Sequence, residues 1–353
     1  MSQYVALIAG ITGAIGSALA RELGQRSDWK VLGVSRHQPA TPVDAVEYIS
    51  MDMNQRKQGA EILSRHNDIS HVFYCGRATH GEQLLESAED NLRLLDNLLF
   101  AVESSGSPLK HVHLVQGGKY YGVHVGPFPS PAREEDSRAP IPNFNYEQQD
   151  YLVDRAANSS WSWSASRPNT LVHFSPDIGR NLVSSLGVYA AICRELGANL
   201  DFPGPEGAYT SLTQLTSIDL LARAIAWMSV EPKCSNQAFN VTNTDSFRWS
   251  SLWPQIAETY GMKCGSVRPL NLVNAMSDRD DFWQQIGKKH QLRQTALSEV
   301  VNWGYLDASL ERYWDELFSH TKCRKFGFHE WDDSESRLLS LTRQYQKADI
   351  LPK

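Results

Sequence analysis

Three glycines near the start of the chain have a spacing that could hold a phosphate group. Gly10, Gly13 and Gly16 follow an apolar run over residues 4–9 and precede apolar positions at helical spacing. Glycine permits the positive φ angle and the close backbone approach that a pyrophosphate requires, and the N–H groups of a helix N-terminus favour its charge. The stretch therefore predicts a strand, a turn and a helix that bind a dinucleotide, with contacts from Gly10, Thr12, Gly13, Ala14, Ile15 and Gly16.

The residues after the second predicted strand, which spans 30–34, indicate which dinucleotide binds. A site for NAD places Asp or Glu at this strand end to bind the ribose 2′-hydroxyl, whereas the 2′-phosphate of NADP needs a cation. Arg36 occupies this position, between Ser35 and His37. The sequence therefore predicts NADPH/NADP+ as the cofactor, in contact with these three residues. An arginine that is merely solvated at a strand end would give the same pattern.

Further cofactor contacts are predicted where later strands end. Asp52 and Met53 follow the third strand (45–50), and the Asp52 carboxylate either accepts from the adenine amino group or caps a helix. Strands predicted over 71–75 and 111–115, with a helix over 89–103, continue the alternation that is typical of a parallel, doubly wound sheet. The remaining predicted contacts are Cys75, Gly76, Gln116, Tyr146, Leu171 and Ser175.

Two stretches after the fifth predicted strand carry side chains suited to proton and charge chemistry. The first, over 116–122, reads Q-G-G-K-Y-Y-G and contains Lys119, and the second, over 143–150, reads N-F-N-Y-E-Q-Q-D and begins a helix. The glycine spacing G-x-x-G-x-x-G resembles that of short-chain dehydrogenases/reductases, in which such a helix carries Tyr-x-x-x-Lys. Here Asp150 stands four residues after Tyr146, so that lysine is missing. Either the chain is a nucleotide-binding sensor without turnover, or Lys119 supplies the cation.

These residues resemble the progesterone 5β-reductase and iridoid synthase group, a branch of the extended short-chain reductases. The group's loop T-G-T-K-x-Y matches residues 116–121, its motif N-F-Y-Y-x-x-E-D matches 143–150, and further similarity extends to about Gly261. The resemblance implies NADPH-dependent reduction of the carbon–carbon double bond of an enone or enal. It also implies that Tyr146 and Lys119 are the catalytic residues, Tyr146 polarising the substrate carbonyl and Lys119 assisting.

The chain departs from this group at several positions near the expected site, which leaves its substrate range open. Gly118 replaces the loop threonine, Asn145 the first tyrosine of the pair, Gln149 the glutamate, and Asn169 and His173 two glycines. Carbonyl reduction and a sugar-nucleotide epimerase or dehydratase activity on the same fold are the enzymatic alternatives. The products would distinguish them: a saturated ketone, an allylic alcohol or an isomerised sugar.

The length of 353 residues predicts two lobes rather than one undivided core. We expect an NADP-binding Rossmann domain over 1–175, to which 210–250 return, and a smaller, mostly helical substrate lobe over 176–353. The strand predicted over 237–241 is the element that rejoins the sheet. The last residues, 347–353, are expected to form a loose tail.

Composition narrows the range of possible partners and cellular compartments. The net charge is −6 and the basic residues are scattered, which argues against nucleic acid or an anionic membrane as a partner. The five cysteines form no C-x-x-C pair and the histidines lack metal-ligand spacing, so we expect reduced thiols and no metal. No apolar run is long enough to span a bilayer, and a cytoplasmic location is expected. The expected partner is a small hydrophobic enone or enal, and a homodimer is an open possibility.

Overall fold

The computed structural model describes residues 4–39, 41–78, 86–293 and 296–353, in which strands and helices alternate. The strands are β1 Tyr4–Ala9, β2 Trp29–Ser35, β3 Val46–Ser50, β4 His71–Tyr74, β5 His111–Val115, β6 Ser162–Pro168, β7 Thr170–Val172, β8 Leu200–Phe202, β9 Leu212–Thr213, β10 Leu215–Ser217, β11 Gln237–Val241, β12 Phe247–Arg248 and β13 Cys264–Val267. The helices are α1 Ala14–Gly24, α2 Arg56–Leu63, α3 Ala88–Ser104, α4 Phe144–Ala157, α5 Leu182–Glu195, α6 Glu206–Thr210, α7 Ile218–Val230, α8 Trp249–Thr259, α9 Leu272–Ala275, α10 Asp280–His290, α11 Leu297–Val300, α12 Trp303–Leu310, α13 Thr321–Phe326 and α14 Ser334–Lys347. The stretches Gly118–Tyr121 and Pro232–Cys234 form short 3₁₀ helices.

Seven of these strands form one parallel sheet in the order β3-β2-β1-β4-β5-β6-β11. The central strand β1 pairs with β2 and β4, and its apolar residues suit a strand that helices cover on both faces. Leu7 packs into the core beneath α2, α3 and α4, whereas Ile8 packs into the core beneath α1 and α7. The strand predicted over 237–241 is β11, which pairs with β6 at the sheet edge. The doubly wound α/β fold predicted from the alternation is therefore confirmed.

A second core lies outside the sheet and draws its residues from between Val172 and Leu351. Helix α5 is central to it, and the Asn181 side chain caps this helix by accepting from two backbone N–H groups of its first turn. The end of the chain packs here, because Ile350 and Leu351 are buried and a Cβ on Gly187 would lie 2.2 Å from Leu351 Cδ1. The expectation of a loose tail over 347–353 is therefore wrong. The domain boundary at residue 175 stays a prediction.

Histidines and serines form a hydrogen-bonded ladder between β5 and β6. His111 Nδ1 lies 2.9 Å from Ser162 Oγ and its Nε2 lies 2.7 Å from Ser164 Oγ. His113 continues the ladder, with Nδ1 2.8 Å from Ser164 Oγ and Nε2 3.0 Å from Ser166 Oγ. A neutral imidazole offers one donor and one acceptor, so each ring can bridge two hydroxyls without carrying a charge into the sheet. Burial lowers the pKa of both rings, that of His113 to about 3.

Replacing His113 with glutamine tests the ladder through the pH dependence of stability. Folding lowers the pKa of His113 from 6.5 to about 3, so its contribution to stability is complete above pH 6.5 and is lost as the pH falls towards 3. We expect the free energy of unfolding of the wild type to fall more steeply with decreasing pH than that of His113→Gln, by up to about 1.4 kcal/mol per pH unit. Urea titrations between about pH 6.5 and 4 measure both slopes. His329→Gln, at an exposed histidine, is the control; equal slopes for the wild type and His113→Gln would contradict the assignment.

Candidate functional site

The glycine turn forms the strand, turn and helix that its spacing predicts. Gly10 has a φ of +78°, and a Cβ there would lie 2.7 Å from the backbone nitrogen of Gly76. A Cβ on Gly16 would lie 2.3 Å from the Gly10 carbonyl oxygen, so α1 packs against the turn only because this side chain is absent. The N-cap residue of α1 is Gly13, which has no side chain to cap the helix, and no acidic residue lies in the first turn. The free N–H groups of α1 therefore form an electropositive cradle that fits a pyrophosphate.

A cavity of about 460 Å³ opens beside this turn, at the carboxyl edge of the sheet. Its wall contains Arg77 and Arg93, which the sequence did not indicate. Nine of the predicted cofactor contacts also line it: Gly10, Thr12, Gly13, Ser35, Arg36, Asp52, Met53, Cys75 and Gly76. The structure thus brings residues from the ends of several strands into one cavity, as ligand binding to a doubly wound sheet requires.

Asp52 stabilises a turn at the edge of this cavity. Its Oδ1 accepts hydrogen bonds from the backbone N–H and the side-chain Nδ2 of Asn54, each at 3.0 Å. The backbone hydrogen bond from Asn54 is the main cause that lowers the pKa of Asp52, and the charge of Arg36 lowers it further. The N-cap of α2 is Gln55, so the helix-cap role predicted for Asp52 is not observed. Arg36 itself is exposed and brings a cation to the same cavity.

The predicted cofactor contacts that do not line this cavity are spread over several elements around the glycine turn. Thr12 also lines a second cavity, of about 700 Å³, to which Ser175 contributes. Leu171 packs against the core beneath α1 and α7. Gln116 is buried, and its Nε2 donates to the Asn145 carbonyl oxygen at 3.0 Å. Neither Leu171 nor Gln116 lines these two cavities. Ala14, Ile15 and Gly16 form the first turn of α1, and the His37 carbonyl oxygen accepts from Ser35 Oγ at 2.6 Å.

Lys119 lies in the 3₁₀ helix that follows β5 and is held by an ion cluster. Its Nζ lies 2.6 Å from Glu86 Oε2, and Arg77 Nη1 lies 3.0 Å from Glu86 Oε1. The Glu86 side chain is 7% exposed, so this carboxylate joins two cations in a largely water-free position. Arg77 lines the cavity beside the glycine turn, which we call the cofactor cavity because nine of the predicted cofactor contacts line it, and the cluster of Arg77, Glu86 and Lys119 therefore borders that cavity. Sequence analysis did not identify Glu86, because it is separated from Lys119 by an entire helix and strand.

Tyr146 lies in the first turn of α4, and backbone groups engage its hydroxyl. The hydroxyl donates to the Tyr120 carbonyl oxygen at 2.6 Å and accepts from the Ala139 N–H at 3.1 Å. The ring packs edge-on against Tyr120 in a buried cluster that includes Tyr121 and Phe318. The catalytic role of Tyr146 stays a prediction. That role requires the Tyr146 hydroxyl to release the Tyr120 carbonyl oxygen and to donate to a substrate oxygen instead.

The position of the missing lysine faces solvent. Asp150 is 57% exposed and accepts two hydrogen bonds from Arg138, at 2.7 and 2.6 Å. Gln149 lies on the inner face of α4, where its Oε1 accepts from Arg167 Nη2 at 3.0 Å and from Gln116 Nε2 at 3.2 Å. Asp150 therefore adds no negative charge to the interior of the site.

Arg167 is a buried cation at the end of β6 that supports the loop of Lys119. It is 1% exposed, and its Nε donates to Gln116 Oε1 at 2.9 Å. Its Nη1 donates to the Tyr121 hydroxyl at 3.0 Å, and its guanidinium carbon lies 3.3 Å from the centroid of the Tyr120 ring. These contacts fix both tyrosines that follow Lys119. The Arg-Pro pair at the strand end was the only sequence signal for this residue.

Packing explains one of the departures from the reductase motifs, and a second takes part in a buried hydrogen bond. A Cβ on Gly118 would lie 3.0 Å from Phe318 Cζ, so the Phe318 ring occupies the space that a threonine needs. Asn145 is 1% exposed and its Nδ2 donates to Asn143 Oδ1 at 2.8 Å. Its own Oδ1 has no hydrogen-bond partner among the described residues.

Two further departures, His173 and Asn169, make structural hydrogen bonds. His173 Nδ1 lies 2.9 Å from Ser175 Oγ, and burial lowers the pKa of this ring to about 4. Asn169 Nδ2 donates to the Glu316 carbonyl oxygen at 3.4 Å and so connects the end of β6 to the chain near its C-terminus.

Within the described ranges, no three or more His, Cys, Asp or Glu side chains come together as a metal site would require. The same ranges contain no helix with the length and hydropathy needed to cross a membrane. Burial raises the pKa of the Cys75 thiol to about 12, so this cofactor-cavity residue stays protonated.

Comparison with solved structures shows a shared fold. The chain superposes on UDP-glucose 4-epimerase from Thermotoga maritima with a TM-score of 0.68 at 17% identity, covering 97% of this chain and 98% of that one. It superposes equally well, with a TM-score of 0.68 at 14% identity, on the enzyme WbmG from Bordetella bronchiseptica in complex with NAD, covering 99% of this chain and 96% of that one. At these identities the likeness concerns the architecture alone.

Comparison with protein families and characterised sequences is more specific. Residues 39–325 match the family model of the PRISE-like Rossmann-fold domain. The chain is 33% identical to (S)-8-oxocitronellyl enol synthase from Nepeta cataria, over 99% of this chain and 92% of that protein. It is 34% identical to 3-oxo-Delta(4,5)-steroid 5-beta-reductase from Arabidopsis thaliana, over 99% of this chain and 94% of that protein. The chain therefore belongs to the PRISE-like Rossmann-fold family, which includes the iridoid synthase and progesterone 5β-reductase relatives that its motifs resemble.

Proposed function

We propose that the protein reduces the carbon–carbon double bond of α,β-unsaturated ketones or aldehydes with NADPH. The relatives support this proposal, since one is named an enol synthase and another a steroid 5-beta-reductase. The observation that carries it is the position of Lys119, whose ammonium group is fixed by Glu86 beside a wall residue of the cofactor cavity. Bound NADPH supplies a hydride to the β-carbon of the substrate, which leaves negative charge on the carbonyl oxygen.

Lys119 is the residue best placed to stabilise this charge. Its ammonium group is a fixed cation in a partly buried corner, where charge–charge interactions are stronger than in water. Glu86 shares its carboxylate between Lys119 and Arg77, so the corner keeps one net positive charge from these three side chains. A preorganised donor aimed at a developing oxyanion typically contributes about 3 kcal/mol to lowering the barrier. We assign that donor role to Lys119.

Tyr146 is proposed as the second donor to the same oxygen. The hydrogen bond from the Ala139 N–H draws electron density from the phenol oxygen, which strengthens its O–H as a donor. The hydroxyl now donates to the Tyr120 carbonyl oxygen. Substrate binding must therefore move the loop that carries Tyr120, or the Tyr146 ring, so that a ketone oxygen replaces the backbone one.

Arg36 is proposed to select NADPH. It is an exposed cation on the wall of the cavity at the end of β2, where an NAD-specific site would carry a carboxylate. Asp52 lies close enough for the charge of Arg36 to lower its pKa, but one of its carboxylate oxygens is occupied by Asn54. Arg36 is therefore more available than Asp52 to contact a 2′-phosphate.

A redox-sensing protein that binds NADP(H) without turnover is the second candidate. The engaged hydroxyl of Tyr146 favours this alternative, because a group that donates to backbone is not available to a substrate. A sensor would bind the cofactor tightly and consume none of it in the presence of enones. Turnover measurements on variants of the two catalytic candidates distinguish the alternatives.

Replacing Lys119 with methionine removes the proposed oxyanion charge and keeps the length of the side chain. We expect kcat/KM for a cyclic enone to fall about 100-fold, with little change in the Kd for NADPH. NADPH consumption and product identification measure the first quantity, and fluorescence titration the second. The control is Lys110→Met, at an exposed lysine immediately before the first residue of β5. Unchanged turnover in Lys119→Met would contradict the assignment.

Replacing Tyr146 with phenylalanine separates catalysis from packing. Loss of the two backbone hydrogen bonds should lower the free energy of unfolding by about 1 kcal/mol or more. If Tyr146 donates to the substrate, kcat should also fall more than about tenfold. Tyr151→Phe removes a comparable hydroxyl on the same helix, one that donates to Asp96 at 2.5 Å. A Tyr146→Phe variant that loses only stability, as Tyr151→Phe should, would rule out the catalytic role.

Reversing the charge at Arg36 tests the choice of cofactor. In Arg36→Asp the carboxylate should repel the 2′-phosphate and accept from the ribose 2′-hydroxyl, so we expect the ratio of Kd for NADPH to Kd for NADH to rise at least about 100-fold. Arg26→Asp, at the arginine that pairs with Glu22, serves as the control. The cofactor assignment would be wrong if Arg36→Asp left this ratio unchanged.

A further inference from the structure

A cation lies over the ring of Tyr146, although no lysine stands four residues after it. The guanidinium carbon of Arg138 lies 4.8 Å from the centroid of the Tyr146 ring. A cation within about 6 Å of an aromatic ring centroid is attracted by the electron-rich face of the ring. Arg138 belongs to the loop between the 3₁₀ helix of Lys119 and α4, so this charge comes from outside the helix that carries Tyr146.

Asp150, at the position of the missing lysine, holds this guanidinium in place. Its two carboxylate oxygens accept hydrogen bonds from Nη1 and Nη2 of Arg138, at 2.7 and 2.6 Å. Such a two-point contact fixes the orientation of a planar guanidinium as well as its position. Residues four apart in a helix lie on the same face. Asp150 therefore places the cation of Arg138 beside Tyr146, one helical turn away.

Two further contacts connect Arg138 to the groups that engage the Tyr146 hydroxyl. Arg138 Nε donates to the Tyr120 hydroxyl at 3.3 Å, and the Tyr120 carbonyl oxygen accepts from the Tyr146 hydroxyl. Ala139, the residue after Arg138, donates its N–H to the same hydroxyl at 3.1 Å. The position of Arg138 is therefore coupled to both hydrogen-bond partners of the Tyr146 hydroxyl.

The ion pair of Arg138 and Asp150 is too exposed to contribute much to the stability of the fold. The Arg138 side chain is 36% exposed and the Asp150 side chain is 57% exposed. Exposed ion pairs typically stabilise a fold only slightly, because water screens the charges and ordering two side chains costs entropy. Removing this pair should therefore leave thermal stability nearly unchanged, so an effect on the reaction can be measured separately from an effect on folding.

We propose that Arg138 is a positioning residue for the reaction and that it supplies, by acting on Tyr146, the positive charge that the missing lysine does not bring. This inference rests on the proposed function, in which the Tyr146 hydroxyl donates to the carbonyl oxygen of the substrate. Negative charge on that oxygen grows towards the transition state, and a fixed cation over the ring of its donor stabilises this charge more than the neutral ground state. Asp150 acts only through Arg138.

The test measures kcat and KM for reduction of a cyclic enone by variants of the pair. Arg138→Met removes the charge and keeps a long side chain, and we expect kcat to fall about tenfold with little change in KM or in the Kd for NADPH. Arg138→Lys keeps the charge without the planar guanidinium and should recover most of this loss. Asp150→Asn leaves the cation less firmly held and should lower kcat about threefold.

Combining Arg138→Met with Tyr146→Phe shows whether Arg138 acts through Tyr146. Arg138→Met should lower kcat when Tyr146 is present but cause no further loss in Tyr146→Phe, because the hydroxyl on which Arg138 acts is then already absent. The control is Arg223→Met, at an arginine of α7 that pairs with Glu330 and is similarly exposed. This control should behave as the wild type, and thermal melts of every variant verify folding.

The outcomes distinguish this inference from the proposed function. An unchanged kcat in Arg138→Met would overturn the role of Arg138 and leave enone reduction intact. An equal loss of kcat with and without the Tyr146 hydroxyl would also overturn it, since Arg138 would then act independently of Tyr146, and so would a change confined to KM. Failure of the wild type to reduce cyclic or open-chain enones, despite binding NADPH, would overturn the proposed function and this inference together.

Discussion

One carboxylate, that of Glu86, determines where the positive charge of the site lies. It binds Lys119 through one oxygen and Arg77 through the other, and it is almost completely shielded from water. A buried carboxylate is costly unless a cation compensates it, and because two cations share this one, it holds both of them in place. Glu86 therefore fixes the loop after β5 relative to the wall of the cofactor cavity. The proposed chemistry depends on the distance between this loop and the cavity wall, because a cation must lie close to the substrate when it receives the hydride.

Hydrogen bonds order the interior of the site, which lacks the lysine that short-chain reductases usually carry on this helix. Arg167 reaches Gln116, Gln149 and Tyr121 from the end of β6 and so connects β5, α4 and the loop of Lys119. Such a buried guanidinium satisfies several acceptors at once and leaves little freedom to the groups around it. The position four residues after Tyr146 lies outside this network and faces solvent, which is why Asp150 is tolerated there.

Sequence reasoning succeeded where the signal was local. The glycine turn, the alternation of strands and helices in a parallel sheet and the position of Arg36 and Asp52 at strand ends follow from patterns within a few residues and from the rules of parallel sheets. It could not show that the hydroxyl of Tyr146 would be engaged by Tyr120 and Ala139, because these contacts depend on how the loop over 118–139 folds onto α4. It also missed Glu86, because its partner Lys119 is distant in sequence. The assignment of a loose tail failed for the same reason, since the partner of Leu351 is in α5.

The central proposal is that hydride adds to the β-carbon of an enone and that the negative charge develops on a carbonyl oxygen beside Lys119. The most direct test is to supply NADPH deuterated at the transferred position together with a cyclic enone, and to locate the deuterium in the product by NMR. We expect a saturated ketone that carries deuterium on its β-carbon. Deuterium on the carbinol carbon of an allylic alcohol, or none in any product, would contradict it.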